Sequence, residues 1–226
     1  MMKRFALGTS DLQVPAVVAG MMRIQSLSDA EVRAFYDASR AAGIDFFDHA
    51  DIYGTPTHAC EARFADALRL SASEREEIVL QSKAGIVKEG PYFDFSYDHI
   101  IEAVDGSLAA LRTDYLDVLL LHRPDALVEP EEVARAFDDL AAAGKVRHFG
   151  VSNHTPAQIE LLRRYVGQPL LANQLQLSIT HASIITQGLA MNMNGVDQSI
   201  SRDLGVLDYC RLNELTIQAW SPFQAG

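Results

Sequence analysis

A regular alternation of short apolar runs and longer amphipathic segments limits the folds open to this chain more than any other feature. Seven runs predict strands: Val17–Gly20, Ile44–Asp48, Ile78–Lys83, Asp117–His122, Val146–Val151, Leu170–Gln174 and Thr216–Trp220. Most of these runs are continuously apolar, which is typical of parallel strands covered on both faces. Capping patterns such as Ser28 with Glu31, and Thr155 before Pro156, predict helices between them. The alternation therefore predicts a parallel sheet with helical crossovers.

Two architectures contain such a sheet, an open doubly wound sheet and an eight-stranded barrel. An open sheet that binds a nucleotide has a glycine-rich loop after its first strand, and Gly20–Arg23 has no such pattern. In a barrel, catalytic groups collect at the C-terminal ends of the strands. Polar residues close or follow five of the predicted strands: Asp48, Lys83, His122, Asn153 and Gln174. The barrel is therefore the better prediction.

The fold class expected is thus an α/β protein, a (β/α)8 TIM barrel that is incomplete, with strands 1–7 present. We expect one domain over residues 1–226, without the eighth strand and the helices that flank it. Ahead of the first strand, Arg4–Leu7 and Leu12–Val14 flank a turn rich in Gly, Thr, Ser and Asp. This pattern predicts an N-terminal β-hairpin that plugs the N-terminal face of the barrel.

Charge and cysteine content narrow the possible partners and compartments. Thirty Asp and Glu against nineteen Lys and Arg give a net charge of −11, which repels polyanions, so no nucleic acid partner is expected. No stretch approaches the about 18 apolar residues of a membrane span, and the N-terminus has no signal-peptide pattern. The two cysteines, Cys60 and Cys210, fit a reducing compartment. The expected location is the cytoplasm.

Four ionisable residues, Asp48, Tyr53, Lys83 and His122, lie at or just after the ends of successive predicted strands. In a barrel they would converge on one mouth. A tyrosine hydroxyl, with a pKa of about 10, is a poor acid at neutral pH unless a nearby ammonium stabilises the phenolate. Lys83 would supply that ammonium and Asp48 would hold it in place. His122 would orient a carbonyl oxygen, which makes the group a candidate proton donor.

The sequence resembles the aldo-keto reductase family over its whole length, and it looks most like the bacterial oxidoreductase branch. The segments that carry the resemblance, in the family's order, are Phe46–Gly54 (FFDHADIYG), Leu80–Gly85 (LQSKAG), Leu119–Asp125 (LLLHRPD), His148–Asn153 (HFGVSN), Asn173–Gln174 and Ala219–Phe223 (AWSPF). The resemblance implies a (β/α)8 barrel and the NADPH-dependent reduction of aldehydes or ketones to alcohols. It implies Tyr53 as general acid, Lys83 lowering the Tyr53 pKa, Asp48 pairing with Lys83, and His122 orienting the carbonyl of a small-molecule substrate.

The few potential ligands in the sequence predict no metal, and the same resemblance assigns a cofactor site. Its residues are Gly20, Met21, Met22, Asp48, Ser152, Asn153, Gln174, Trp220, Ser221, Pro222 and Phe223. Ser152, Asn153 and Gln174 would hold the nicotinamide carboxamide, and the ring would stack on Trp220. In the family, basic residues after the eighth strand bind the 2′-phosphate, and the sequence contains no match to them. NADPH is the expected cofactor, and NADH stays possible.

Two other functions stay open from the residues alone. One is a nicotinamide-binding regulatory or interaction subunit with little turnover. The other is a metal-dependent barrel hydrolase, suggested by Asp48, His49 and Asp51, although these are few ligands for a metal. The segment His181–Ile200 has no clear periodicity. It predicts either a loose surface loop or a substrate-contacting loop in which Met191 and Met193 form an apolar wall.

Overall fold

The computed structural model describes residues 2–190, 193–194 and 204–223. Its strands are β1 (Arg4–Ala6), β2 (Gln13–Pro15), β3 (Ala19–Gly20), β4 (Phe46–Asp48), β5 (Val79–Ala84), β6 (Ile86–Val87), β7 (Tyr92–Phe93), β8 (Leu116–Leu121), β9 (Val146–Ser152), β10 (Leu170–Gln176) and β11 (Thr216–Trp220). Seven of them form one parallel sheet in the order β11-β10-β9-β8-β5-β4-β3. These seven strands are the seven predicted from the sequence.

Helices connect successive strands of this sheet and cover its outer face. They are α1 (Asp29–Ala41), α2 (Ala59–Leu68), α3 (Ala72–Glu76), α4 (Tyr97–Leu111), α5 (Pro130–Ala142), α6 (Pro156–Arg163), α7 (Ser183–Leu189) and α8 (Val206–Leu212), with a short 3-10 helix at Ile24–Ser26. The predicted cap of α1 is present, since Glu31 N donates to Ser28 Oγ and Ser28 N to the Glu31 carboxylate. Thr155 N likewise donates to the Gln158 side chain at the start of α6.

The sheet curls into most of a barrel. Gln81 on β5 and Gln218 on β11 are separated in the sheet by three strands, yet Gln81 Nε2 lies 2.9 Å from Gln218 Oε1. Only a sheet that closes around a central interior brings these side chains together. A separate apolar cluster fills that interior: Leu7, Val14, Phe46, Val79, Val118, Leu120, Leu171 and Ala172. The predicted incomplete (β/α)8 fold is therefore confirmed.

The N-terminal hairpin of β1 and β2 closes one end of this interior, as predicted. Leu7 and Val14 are buried in the interior cluster. The Gly8 backbone N–H donates to Thr216 Oγ1 at 2.7 Å. Gly8 has φ +53°, and a Cβ there would lie 2.6 Å from the Leu171 carbonyl oxygen. Only glycine fits this left-handed position in the hairpin turn, where the backbone packs closely against β10.

Two segments differ from the sequence prediction. The segment expected to be a loop after His181 contains helix α7, which the β-branched residues and Gly188 of Ser183–Leu189 disfavour on propensity alone. The antiparallel pair β6–β7 follows β5 and was not predicted, because two-residue strands carry no periodicity. Met193 is about half-exposed, and Met191 lies outside the described residues.

The helices and the two cysteines bear on the expected location of the protein. Among the described residues, no helix combines the length and the apolar character that crossing a bilayer requires. Cys60 and Cys210 are both buried free thiols.

Candidate active site

The ends of neighbouring strands place three of the four predicted catalytic residues at one end of the barrel interior. Asp48 is the last residue of β4, Lys83 lies near the end of β5, and His122 directly follows β8. Tyr53 lies in the loop between β4 and α2. This loop is pinned on both sides, because Tyr53 N donates to the Ala50 carbonyl and the Tyr53 carbonyl accepts from Cys60 N. The fold therefore brings all four side chains to one mouth.

The Lys83 ammonium is the centre of this group. Its Nζ lies 2.8 Å from each carboxylate oxygen of Asp48 and donates to the His49 carbonyl at 2.7 Å. It also donates to Tyr53 Oη at 3.2 Å. The Lys83 side chain is fully buried, so the carboxylate balances its charge where water does not. The ammonium is thus held beside the tyrosine hydroxyl.

Burial and charge act in opposite directions on the two groups that would share a proton. Burial raises the pKa of the Tyr53 phenol above its usual value, and the Lys83 ammonium opposes that rise without outweighing it. Burial alone would lower the pKa of Lys83, but the Asp48 carboxylate raises it above its usual value. Lys83 therefore stays protonated, and Tyr53 is a protonated phenol at neutral pH.

His122 lies next to Tyr53 as a neutral imidazole. The two ring centroids are 6.0 Å apart with the rings nearly perpendicular. Burial, together with the Lys83 and Arg123 charges, lowers the pKa of His122 to about 3. At neutral pH its ring therefore carries one N–H, which suits it to donate a hydrogen bond rather than a proton.

A second group of polar side chains borders the first. Ser152 Oγ donates to the Gln174 carbonyl at 3.0 Å, and Asn153 Nδ2 donates to Ser152 Oγ at 2.8 Å. Trp220 Nε1 donates to Asn153 Oδ1 at 3.1 Å. Asn153 Nδ2 also donates to the His122 carbonyl at 3.3 Å. The residues predicted to bind the carboxamide thus contact one another and the catalytic group.

Asn153 holds an unusual backbone conformation in this group. Its φ is +62°, in the left-handed region that asparagine tolerates better than most residues. Its backbone N–H donates to the Gln174 carbonyl at 2.8 Å, which ties the end of β9 to β10. The turn directs the Asn153 side chain toward Trp220.

The remaining predicted cofactor residues lie at the ends of the two outer strands of the sheet. Gly20 ends β3, and the buried Met21 donates its backbone N–H to the Asp48 carbonyl. Met22 is about half-exposed. Ser221, Pro222 and Phe223 follow β11, and Phe223 is mostly exposed. None of these side chains joins the two polar groups described above.

Sequence reasoning missed two glutamines inside the barrel. Gln81 is fully buried on β5, and its Nε2 donates to Asp48 Oδ1 at 2.5 Å. Gln218 on β11 bonds to Gln81 and to Gln174. The spacing in the sequence could have identified them, because Gln81 is two residues before Lys83 and Gln218 is two residues before Trp220. Side chains two apart on a strand share a face.

Comparisons with known proteins agree with this architecture. The sequence model of the Aldo/keto reductase family matches residues 16–226. The chain belongs to the aldo/keto reductase family. This is a family of NAD(P)H-dependent oxidoreductases, and the prediction made from the six sequence segments is confirmed at that level.

Bacterial oxidoreductases are among the relatives of this chain. The uncharacterized oxidoreductase YcsN of Bacillus subtilis is 40% identical over 100% of this chain and 72% of its own length. A 6-dehydroglucose reductase of Novosphingobium aromaticivorans is 35% identical over 97% of this chain and 68% of its own. The solved holo form of aldo-keto reductase AKR11C1 from Bacillus halodurans is 25% identical with a TM-score of 0.74, covering 96% of this chain and 65% of that one. The chain thus spans about two thirds to three quarters of these relatives.

In the Asp48–Asp51 segment, the first two side chains lie on opposite faces of the strand. Asp48 faces Lys83 inside the barrel, whereas the His49 ring packs on Phe64 of α2, with ring centroids 4.9 Å apart. Adjacent strand residues point to opposite faces, so these two side chains do not converge. In the part of the chain that the structure describes, no three His, Cys, Asp or Glu side chains are grouped to hold a metal ion.

Asp51, in the same loop as Tyr53, is expected to make the stability of the fold depend on pH. Its side chain is buried, and burial raises its pKa to about 7, with the Glu61 charge adding to the rise. A carboxyl group with a raised folded-state pKa stabilises the fold at low pH, and that stability is lost between about pH 4 and pH 7. We expect Asp51→Asn to gain about 1–3 kcal/mol of unfolding free energy at pH 8 relative to pH 5.

Urea denaturation of both proteins at the two pH values measures this gain. The amide oxygen that this substitution introduces would still accept the Ile52 N–H, which Asp51 Oδ1 accepts at 2.6 Å, so the turn is kept. The exposed Asp37 of α1 gives the matched control, Asp37→Asn, which should show no such pH difference. Equal effects of Asp51→Asn at both pH values would contradict the assignment.

Proposed function

We propose that this protein reduces aldehyde or ketone groups of small molecules to alcohols, with NADPH as the hydride donor and Tyr53 as the general acid. The observation that carries the proposal is the 3.2 Å contact between Tyr53 Oη and the buried Lys83 Nζ. A phenol next to a permanent ammonium can release its proton to a nearby oxygen and leave a stabilised phenolate. The membership of the chain in the aldo/keto reductase family supports the same reaction.

The chain's own residues would divide the work of the proton transfer. Tyr53 donates its phenolic proton to the carbonyl oxygen, so that an alcohol is formed rather than an alkoxide. Lys83 stabilises the phenolate that remains, and Asp48 keeps Lys83 charged and in place. His122, neutral at working pH, donates its ring N–H to the same oxygen and orients the carbonyl.

The second polar group fits a nicotinamide. A carboxamide needs both an acceptor and a donor, and Gln174 Oε1 accepts no hydrogen bond from the described residues. Asn153, Ser152 and Gln174 hold one another in place, and the Trp220 indole lies beside them, partly exposed. When bound here, the cofactor would supply the hydride that adds to the carbonyl carbon. This site would also explain why Gly20–Met22 and Ser221–Phe223 lie at the same mouth.

The substrate class follows from a relative rather than from this chain's side chains. The Novosphingobium aromaticivorans protein is a 6-dehydroglucose reductase, that is, a reductase of an oxidised sugar. We therefore include oxidised sugars, beside simple aldehydes and ketones, among the carbonyl compounds to be tried.

The test combines binding with turnover. Trp220 is the single tryptophan of the chain, so quenching of its fluorescence reports binding of NADPH or NADH at the proposed site. The fall in NADPH absorbance on adding each carbonyl compound measures turnover. We expect both signals with NADPH, and the same measurements with NADH show whether the chain distinguishes the two cofactors.

The two other functions predict different results in the same assay. NADPH binding without oxidation by any carbonyl compound would contradict an enzyme and favour a regulatory subunit. Activity that needs no nicotinamide and is lost on chelation would favour the metal-dependent hydrolase.

A further inference from the structure

A chain of side-chain amides runs through the barrel interior beneath the two groups of the site. Gln81 Nε2 donates to Asp48 Oδ1 at 2.5 Å and to Gln218 Oε1 at 2.9 Å. Gln218 Nε2 donates back to Gln81 Oε1 at 3.0 Å, and Gln174 Nε2 donates to Gln218 Oε1 at 3.0 Å. The chain of amides therefore connects Asp48, which lies near the proposed acid Tyr53, with Gln174 in the proposed carboxamide site.

Hydrogen-bond chemistry fixes the direction of every amide in this chain. An ionised carboxylate only accepts hydrogen bonds, so Gln81 must present its NH₂ group to Asp48. Its Oε1 atom then faces Gln218 and requires the Gln218 NH₂ group as donor. Gln218 Oε1 is left to accept from Gln174, which turns the Gln174 NH₂ group inward. Gln174 Oε1 is consequently the atom that stays available as an acceptor.

Burial makes it energetically costly to reverse the orientation of these amides. Gln81 is fully buried, and Gln174 and Asp48 are nearly so. A reversed amide would place two acceptors or two donors against each other where little water can compensate. Gln218 is only partly buried, yet each of its side-chain polar atoms is bonded within the chain of amides.

We propose that Gln81 and Gln218 are positioning residues that pass the hydrogen-bond direction set by the Asp48 carboxylate on to Gln174, so that Gln174 presents an acceptor to the cofactor carboxamide. The same chain of amides holds the Asp48 carboxylate in place against Lys83. This inference rests on the proposed function, because it assigns a role within the proposed cofactor site. It adds two residues that touch neither the substrate nor the cofactor.

The first experiment measures cofactor binding alone. In Gln81→Met and in Gln218→Met an apolar side chain of similar length interrupts the amide chain. We expect each to raise the Kd for NADPH, read from Trp220 fluorescence, by about 5-fold, the loss of roughly one net hydrogen bond. Leu120→Met, in the same barrel interior, is the packing control and should leave Kd unchanged, because Leu and Met exchange well in cores.

A double-mutant cycle separates transmission from general damage. If Gln81 acts through Gln174, Gln81→Met should have no further effect on Kd once Gln174→Met is present. An equal effect in both backgrounds, or an unchanged Kd in both Gln81→Met and Gln218→Met, would overturn the inference. Should Gln81→Met not fold, the cycle with Gln218→Met decides. A wild-type protein that binds no nicotinamide overturns the proposed function and the inference together, whereas wild-type binding with unaltered variants overturns the inference alone.

A pH profile tests the Asp48 end of this chain of amides. The titratable groups that face Tyr53 are Lys83, Asp48, Asp51 and His122. Without the Gln81 hydrogen bond the Asp48 charge is less well balanced, and that charge raises the Tyr53 pKa. We expect the loss of carbonyl reduction at high pH to move upward by about half a pH unit in Gln81→Met. No movement, with folding intact, would contradict the role at Asp48.

Discussion

Tyr53→Phe is expected to lower kcat for carbonyl reduction by about 10²–10⁴-fold, the usual contribution of a positioned proton donor. The substitution removes one oxygen atom and keeps the ring that faces His122. The Lys83 ammonium keeps Asp48 and the His49 carbonyl as partners, so the site should stay assembled. The Kd for NADPH from Trp220 fluorescence should stay within about 2-fold of wild type, because Tyr53 is not among the residues proposed to hold the cofactor.

A matched control is available in the core. Tyr36 of α1 is buried against Phe47 and Phe64, away from the barrel interior. Tyr36→Phe removes the same atom from a buried phenol and should leave kcat close to wild type. If Tyr53→Phe kept wild-type turnover, Tyr53 would not be the acid, even with cofactor binding intact.

The direction of the pH dependence follows from the same geometry. Reduction needs the protonated phenol, and burial holds the pKa of Tyr53 above its usual value. Reduction should therefore persist through neutral pH and fall only in alkaline solution. The reverse oxidation of an alcohol needs the phenolate and should rise over the alkaline range, and the ratio of the two rates measured against pH checks the sign.

The strands of the barrel were predictable because both of their faces are covered. Continuous apolar runs such as Val118–Leu121 are unusual outside parallel sheets, and their alternation with capped helices leaves few topologies. The hairpin β6–β7 and helix α7 were not predictable. The first is too short for a periodic signal, and the second contains residues that disfavour helices, so their tertiary surroundings decide their structure.

The candidate site was predictable only in part, because some of its contacts depend on tertiary packing. Asp48, Lys83 and His122 stand out because ionisable side chains lie at the ends of apolar strands. Gln81 and Gln218 are neutral residues within strands, and their importance depends on the curl of the sheet, which brings their side chains together across the barrel interior. The sequence also favoured a lowered Tyr53 pKa from Lys83 alone. In the structure burial has the larger effect and raises that pKa, a result that depends on how the loop packs.

Lys83→Met is expected to cost both stability and turnover. Removing the ammonium leaves the Asp48 carboxylate nearly buried with Gln81 as its remaining side-chain donor. Breaking a buried ion pair on one side costs about 3–5 kcal/mol of unfolding free energy. Turnover should fall by about 10–10³-fold, since the ammonium no longer stabilises the Tyr53 phenolate. Urea denaturation and NADPH oxidation measure the two effects.

The double variant Asp48→Asn/Lys83→Met separates these two effects. It removes both charges, and the new amide oxygen at position 48 would still accept from Gln81, so most of the lost stability should return. Turnover should not return, because the ammonium that contacts Tyr53 would be missing. Lys145→Met breaks the exposed pair with Asp105 and should change stability by less than about 1 kcal/mol, as surface pairs do. Recovery of turnover in the double variant would mean that Lys83 only neutralises Asp48, and the Tyr53–Lys83 contact would lose its catalytic meaning.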